Sequence, residues 1–106
     1  MQWTHRRGER VTVVISGELD SYTAPTIRAQ LDGILRESDV AELTLDLANL
    51  TFMDSSGIGV LLGRLRQLQA RGGVMSVRNL QPTVDKLFRL SGMHRVIRIE
   101  NEGGAR

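Results

Sequence analysis

The spacing of apolar residues in this chain changes repeatedly between a period of two and a period near 3.6, and this alternation limits the possible folds most strongly. Every second residue is apolar in the segments 11–15 and 43–47, which predicts two strands. Apolar residues recur at helical spacing in the segments 27–35 and 58–68, which predicts two helices with one buried face each. A chain in which strands and helices follow one another in this way is predicted to fold as an α/β domain.

The rest of the sequence extends this pattern. Strands are predicted at 11–15, 43–47, 74–77 and 96–99, helices are predicted to begin near residues 23, 54 and 82, and turns are predicted at 17–20 and 49–50. The polar residues before Val11 are predicted to supply a short partner strand. We predict one domain over residues 1–100 and a flexible tail at residues 101–106.

Composition excludes several classes of protein. The chain has no cysteine, so it has no disulfide, thiolate nucleophile or cysteine-ligated zinc, and a reducing, cytoplasmic location is predicted. His5 and His94 lie far apart in the sequence, and we predict no metal site and no cofactor. No apolar run approaches the roughly 20 residues that span a bilayer, and the polar, basic residues 1–10 are not a secretory signal. Membrane association is therefore not expected.

Charge is distributed unevenly along the chain. Residues 18–63 carry eight acidic side chains against two arginines, whereas residues 64–98 carry eight basic side chains against one aspartate. A basic second half is one feature of nucleic-acid-binding proteins, but Lys86 is the only lysine and aromatic residues for base stacking are scarce. We therefore interpret the arginines as solvated surface residues and predict no direct contact with nucleic acid.

The helix predicted to begin near Asp54 has one ordinary apolar face and one unusual face. One face carries Ile58, Leu61, Leu62, Leu65 and Leu68 and is predicted to be buried, and the opposite face carries the small or uncharged residues Ser56, Gly59, Val60, Gly63 and Gln67. Each glycine in a helix interior costs about 1 kcal/mol relative to alanine. Two explanations remain open: another protein packs against the smooth face, or a neighbouring element of the same chain does.

Ser56 is predicted to lie in the first turn of this helix, where free backbone N–H groups and the helix dipole favour an anion such as a phosphoryl group. The simpler interpretation is that Asp54 or Ser55 is an ordinary N-cap. The glycines at 57, 59 and 63 have neither the spacing of a dinucleotide-binding motif nor the Lys-Ser/Thr pair of a phosphate-binding loop. The segment also lacks the G-x-S-x-G pattern of a serine hydrolase, so no catalytic residue is predicted.

Four short segments occur in the order of a known domain. They are Gly17-Glu18-Leu19-Asp20, then Phe52-Met53-Asp54-Ser55-Ser56-Gly57-Ile58-Gly59-Val60, then Gly72-Gly73, and finally Leu87-Phe88-Arg89-Leu90-Ser91-Gly92. Together they resemble the STAS domain of bacterial anti-sigma-factor antagonists, and most closely the sporulation type, the antagonist of the anti-sigma-F factor. The resemblance extends from about Val11 to Glu100. It implies a mostly parallel, mixed central sheet flanked by helices.

The resemblance also implies a mechanism and a set of site residues. In this family the second serine of the D-S-S-G motif is phosphorylated by the anti-sigma factor, which is a serine kinase, and here that residue is Ser56. The residues expected to contact the partner are Asp20, Asp54, Ser55, Gly57, Gly59, Val60 and Gly63. The implied protein is not an enzyme: it binds the kinase and frees the sigma factor until phosphorylation at Ser56 ends the binding, and a serine phosphatase reverses the modification. The alternatives are a subunit of a stress-sensing or lipid-transport complex, or a nucleotide-binding module.

Overall fold

The computed structural model describes residues 2–37 and 39–100, with the backbone alone for residues 2 and 3. Its strands are β1 (Gln2–Arg7), β2 (Arg10–Ile15), β3 (Gly17–Leu19), β4 (Glu42–Asp46), β5 (Leu50–Met53), β6 (Val74–Arg78) and β7 (Arg98–Glu100). The helices are α1 (Ala24–Leu35), α2 (Ser55–Gln69) and α3 (Pro82–Leu90), with a short 3₁₀ turn at Met93–Arg95. The tail predicted at residues 101–106 lies outside the described residues.

The main sheet has the strand order β1-β2-β4-β6-β7. Strand β1 pairs antiparallel with β2, which confirms the predicted partner strand, and the remaining neighbours pair parallel. Parallel neighbours require a crossover connection, and α1, α2 and α3 lie in the connections between them. The parallel strands therefore end at one common edge of the sheet. The predicted α/β fold with a mostly parallel sheet is confirmed.

Strands β3 and β5 form a separate two-stranded parallel sheet, so the turns predicted at residues 17–20 and 49–50 are wrong in part. Gly17 makes the bend after β2 with φ at +89°, and its N–H donates to the Asn49 carbonyl at 2.9 Å. Leu19 and Leu50 are both fully buried in this small sheet. Both strands are too short for an alternating pattern to show in the sequence.

The last strand also differs from its prediction. The segment 96–99 was expected to be extended, but β7 covers Arg98–Glu100, and Val96 follows the 3₁₀ turn with an exposed side chain. Ile97 and Met93 are buried, so the apolar run that resembled a strand is partly a compact turn. The helix over residues 82–90 is confirmed, with Phe88 at the centre of its buried face.

Candidate functional site

Helix α2 begins directly after β5, and Asp54 is its N-cap. The backbone of Asp54 is extended, with φ at −123° and ψ at −167°, and its carboxylate accepts a hydrogen bond from the Ser56 N–H at 2.9 Å. Of the two N-cap candidates in the sequence, Asp54 has this role and Ser55 is the first residue of the helix. Ser56 is therefore the second helical residue, in the turn where the dipole favours an anion.

Both serines of this turn reach the surface. Ser55 is exposed and Ser56 is half-buried. No acidic residue follows Asp54 within the first turn of α2, although acidic side chains are common at that position in helices. The Asp54 carboxylate is therefore the anion at this end of the helix.

The loop after β3 lies against the start of α2. The Asp54 N–H donates to the Leu19 carbonyl at 3.3 Å, so Asp20 is brought beside the N-cap. The Asp20 carboxylate accepts hydrogen bonds from the N–H groups of Tyr22 at 2.9 Å and Thr23 at 3.0 Å. These bonds, above all the one from Thr23, hold the pKa of Asp20 below its ordinary value. Asp20 is thus ionised at neutral pH and orders the loop at the edge of the site.

Two exposed aromatic side chains near this loop were not among the predicted site residues. Tyr22 is 89% exposed, and Phe52 lies half-exposed on β5, where it pairs with Glu18 of β3. An aromatic residue in the polar stretch between Asp20 and Thr23 is the sequence signal that could have identified Tyr22. Large exposed aromatic side chains are typical anchors of protein interfaces.

The buried face of α2 is rotated relative to the sequence prediction. The buried residues are Gly57, Val60, Leu61, Arg64, Leu65 and Leu68. The assignment of Val60 to the exposed face is wrong, since only 2% of its surface is accessible, and Ile58 and Leu62 are only partly buried. Helix α2 packs against α1 as well as against the sheet, so a further side of the helix is buried, and there the Arg64 Nε lies 3.2 Å from an Asp32 carboxylate oxygen.

The sequence left open whether another protein or the same chain packs against the glycines of α2. The surroundings of Gly57 differ from those of Gly59 and Gly63. A Cβ on Gly57 would lie 2.6 Å from Cγ of Met53 and 2.8 Å from Cγ of Leu19, so Gly57 is required by internal packing. A Cβ on Gly59 or Gly63 would meet nothing within 4 Å. Gly59 is exposed and Gly63 half-buried, so these two positions form a smooth outer face beside Ser55 and Ser56.

The described residues contain no group of three or more His, Asp or Glu side chains placed to hold a metal ion. Within the same part of the chain, no helix combines the length and apolar character needed to cross a membrane.

Comparison with known families matches residues 3–104 to the STAS domain. The chain is 39% identical over 106 residues to the anti-sigma F factor antagonist of Paenibacillus polymyxa, covering 99% of this chain and 90% of that protein. It is 33% identical over 96 residues to the anti-sigma-B factor antagonist of Bacillus subtilis strain 168, covering 89% and 86% of the two chains. The solved structure of the Bacillus cell fate determinant SpoIIAA in its phosphorylated form superposes with a TM-score of 0.74 at 32% identity, over 96% of this chain and 93% of that one.

Proposed function

The chain belongs to the STAS domain family, and from this premise we propose that it is an anti-sigma-factor antagonist. Its unphosphorylated form binds an anti-sigma factor that is a serine kinase, and this binding frees the sigma factor. Transfer of a phosphoryl group to Ser56 ends the binding, and a serine phosphatase acting on phospho-Ser56 restores it. The protein acts as a switchable binding module in the cytoplasm and has no catalytic step of its own.

The observation that carries this proposal is the position of Ser56 in the first turn of α2. Phosphorylation adds about −1.5 to −2 charges and several acceptor oxygens. The helix N-terminus favours such a charge, so the fold is expected to tolerate the modification. The carboxylates of Asp20 and Asp54 already lie at this end of the domain. A phosphoryl group therefore turns a surface with two negative charges into a strongly negative one.

The surface that we assign to the partner is built around this serine. The docking surface consists of Asp54, Ser55, Ser56, Gly59 and Gly63 together with the loop 20–23. Gly59 and Gly63 have no side chain, so another backbone can approach α2 closely. The space beside them is not filled by this chain, because a Cβ there would meet no neighbour. Gly57 and Val60, which the family resemblance included, are buried and support the surface from beneath.

The identity of the acceptor serine can be tested directly. Ser56→Ala is expected to remove phosphoryl transfer from the kinase and ATP while kinase binding is retained, because the small docking surface is preserved. Ser55→Ala is the matched control, one residue earlier on the same turn, and is expected to be phosphorylated like the wild type. Mass spectrometry of the reaction locates the phosphate. A phosphate on Ser55, Thr51 or Ser21 would contradict the proposal.

The docking surface is tested by a bulky substitution on its smooth face. Gly63→Arg is expected to weaken kinase binding at least about tenfold, since a long cation then occupies the approach to α2. Gly33→Arg is the matched control, because Gly33 is an exposed glycine of helix α1. Calorimetric titration measures binding, and a thermal melt confirms folding. Equal binding losses in the two variants, or unfolding of Gly63→Arg, would remove Gly63 from the docking surface.

A further inference from the structure

A second candidate site lies on the main sheet, on the face turned away from the helices. Val11, Val13 and Val77 point into the core, so the residues alternating with them, among them Thr12 and Arg78, occupy the opposite face. On that face, side chains from β1, β2 and β6 line a half-open pocket of about 220 Å³. The pocket is lined by His5, Arg7, Arg10, Thr12 and Arg78. No acidic residue of the described chain lines it.

Acidic residues outside the pocket hold two of these guanidinium groups. Arg10 Nη2 donates to both carboxylate oxygens of Glu100, at 3.0 and 3.2 Å. Arg78 Nε donates to an Asp46 carboxylate oxygen at 3.3 Å. Thr12, at the pocket, is only 7% exposed. The arginines are therefore positioned before any ligand arrives, which lowers the entropic cost of binding.

The third arginine lies in an unfavourable position. Arg7 is the register partner of Arg10 across the β1–β2 pair, and like charges placed directly opposite destabilise a sheet. No ion pair of the described residues includes Arg7, whereas Arg10 has a second acidic neighbour, with its Nε 3.8 Å from a Glu42 carboxylate oxygen. An anion between Arg7 and Arg10 would relieve this repulsion. Side chains in positions that destabilise the fold are often found at binding sites.

From these features we propose that this pocket binds a phosphate or diphosphate group. Arginine side chains match the geometry of phosphate oxygens, and a buried threonine at the wall offers a hydroxyl donor. The volume accommodates a diphosphate. Carboxylates already balance Arg10 and Arg78, so Arg7 supplies the uncompensated positive charge that attracts the anion. The site is separate from the docking surface, which lies at the start of α2 on the other side of the sheet, so it does not depend on the proposed function.

The test is a titration of the ¹⁵N-labelled protein with inorganic diphosphate at constant ionic strength. We expect saturable shifts of the backbone amides of β1 and of the start of β2. Arg7→Ala is expected to weaken the apparent affinity at least about fivefold and Thr12→Val about twofold to fivefold. Arg28→Ala is the matched control, an exposed arginine of α1, and its affinity is expected to equal that of the wild type.

A thermal melt separates a binding role from a structural one. Without diphosphate, Arg7→Ala is expected to melt at or slightly above the wild-type temperature, because the repulsion with Arg10 is removed. At one diphosphate concentration, the wild type and Arg28→Ala are expected to gain more stability than Arg7→Ala, because the affinity of Arg7→Ala is weaker. Shifts spread over the whole surface, or equal affinity in Arg7→Ala and Arg28→Ala, would overturn the proposal. Parallel titrations with ADP and with vesicles containing phosphatidic acid distinguish a soluble ligand from a lipid headgroup.

Discussion

The phosphorylated protein is expected to bind the kinase at least about 100-fold more weakly than the unmodified protein, with Ser56→Asp between the two. Aspartate adds one negative charge and a short planar group to the docking surface, whereas phosphoserine adds nearly two charges and a larger tetrahedral group. Charge and size both oppose docking beside Asp20 and Asp54. Each tenfold loss of affinity needs only about 1.4 kcal/mol, so the intermediate step is measurable.

The same variant is expected to leave stability almost unchanged. An anion in the first turn of a helix is favoured by a few tenths to about 1 kcal/mol, and repulsion from the Asp54 cap opposes part of this gain. Calorimetric titration against the kinase, beside a thermal melt of each form, measures both effects. Undiminished binding of Ser56→Asp would show that charge at this position does not control the interface. A collapsed melt would show that Ser56 is required by the core.

Alanine substitutions at the three glycines of α2 are expected to change stability in opposite directions. Gly59→Ala and Gly63→Ala are expected to stabilise the protein by up to about 1 kcal/mol each, because alanine favours the helix and the new Cβ meets no neighbour. Gly57→Ala is expected to destabilise it by roughly 1 to 3 kcal/mol, because the Cβ would overlap the buried side chains of Leu19 and Met53. Urea denaturation of the three variants gives the free energies of unfolding.

This series also separates the two explanations of the smooth face. Glycine at positions 59 and 63 is expected to cost stability in the isolated domain, and a partner packed against them would explain why side chains are absent there. Their alanine variants are therefore expected to be more stable and to bind the kinase more weakly than the wild type. A loss of stability in Gly63→Ala would show instead that an internal contact requires that glycine.

Residue periodicity was sufficient to predict most of the fold. The segments 11–15 and 43–47 were predictable as strands because every second side chain there is apolar and one face of the sheet must be buried. The start of α2 was also predictable, because Asp54 is a favoured N-cap residue and the apolar helical pattern follows it. The position of Ser56 in the first turn followed from these two features.

Tertiary structure decided which residues of the site are accessible. Helix α1 packs against α2, and the side of α2 that is covered includes Arg64, which is 8% exposed, and Val60, which lies one turn earlier and is 2% exposed. The separate requirement for Gly57 depends on Leu19, which is distant in sequence and reaches α2 only through the pairing of β3 with β5. The sequence by itself determined the order of elements and the serine at the helix start, since both depend on local patterns. The orientation of α2 depends on contacts between distant segments, which no local pattern encodes.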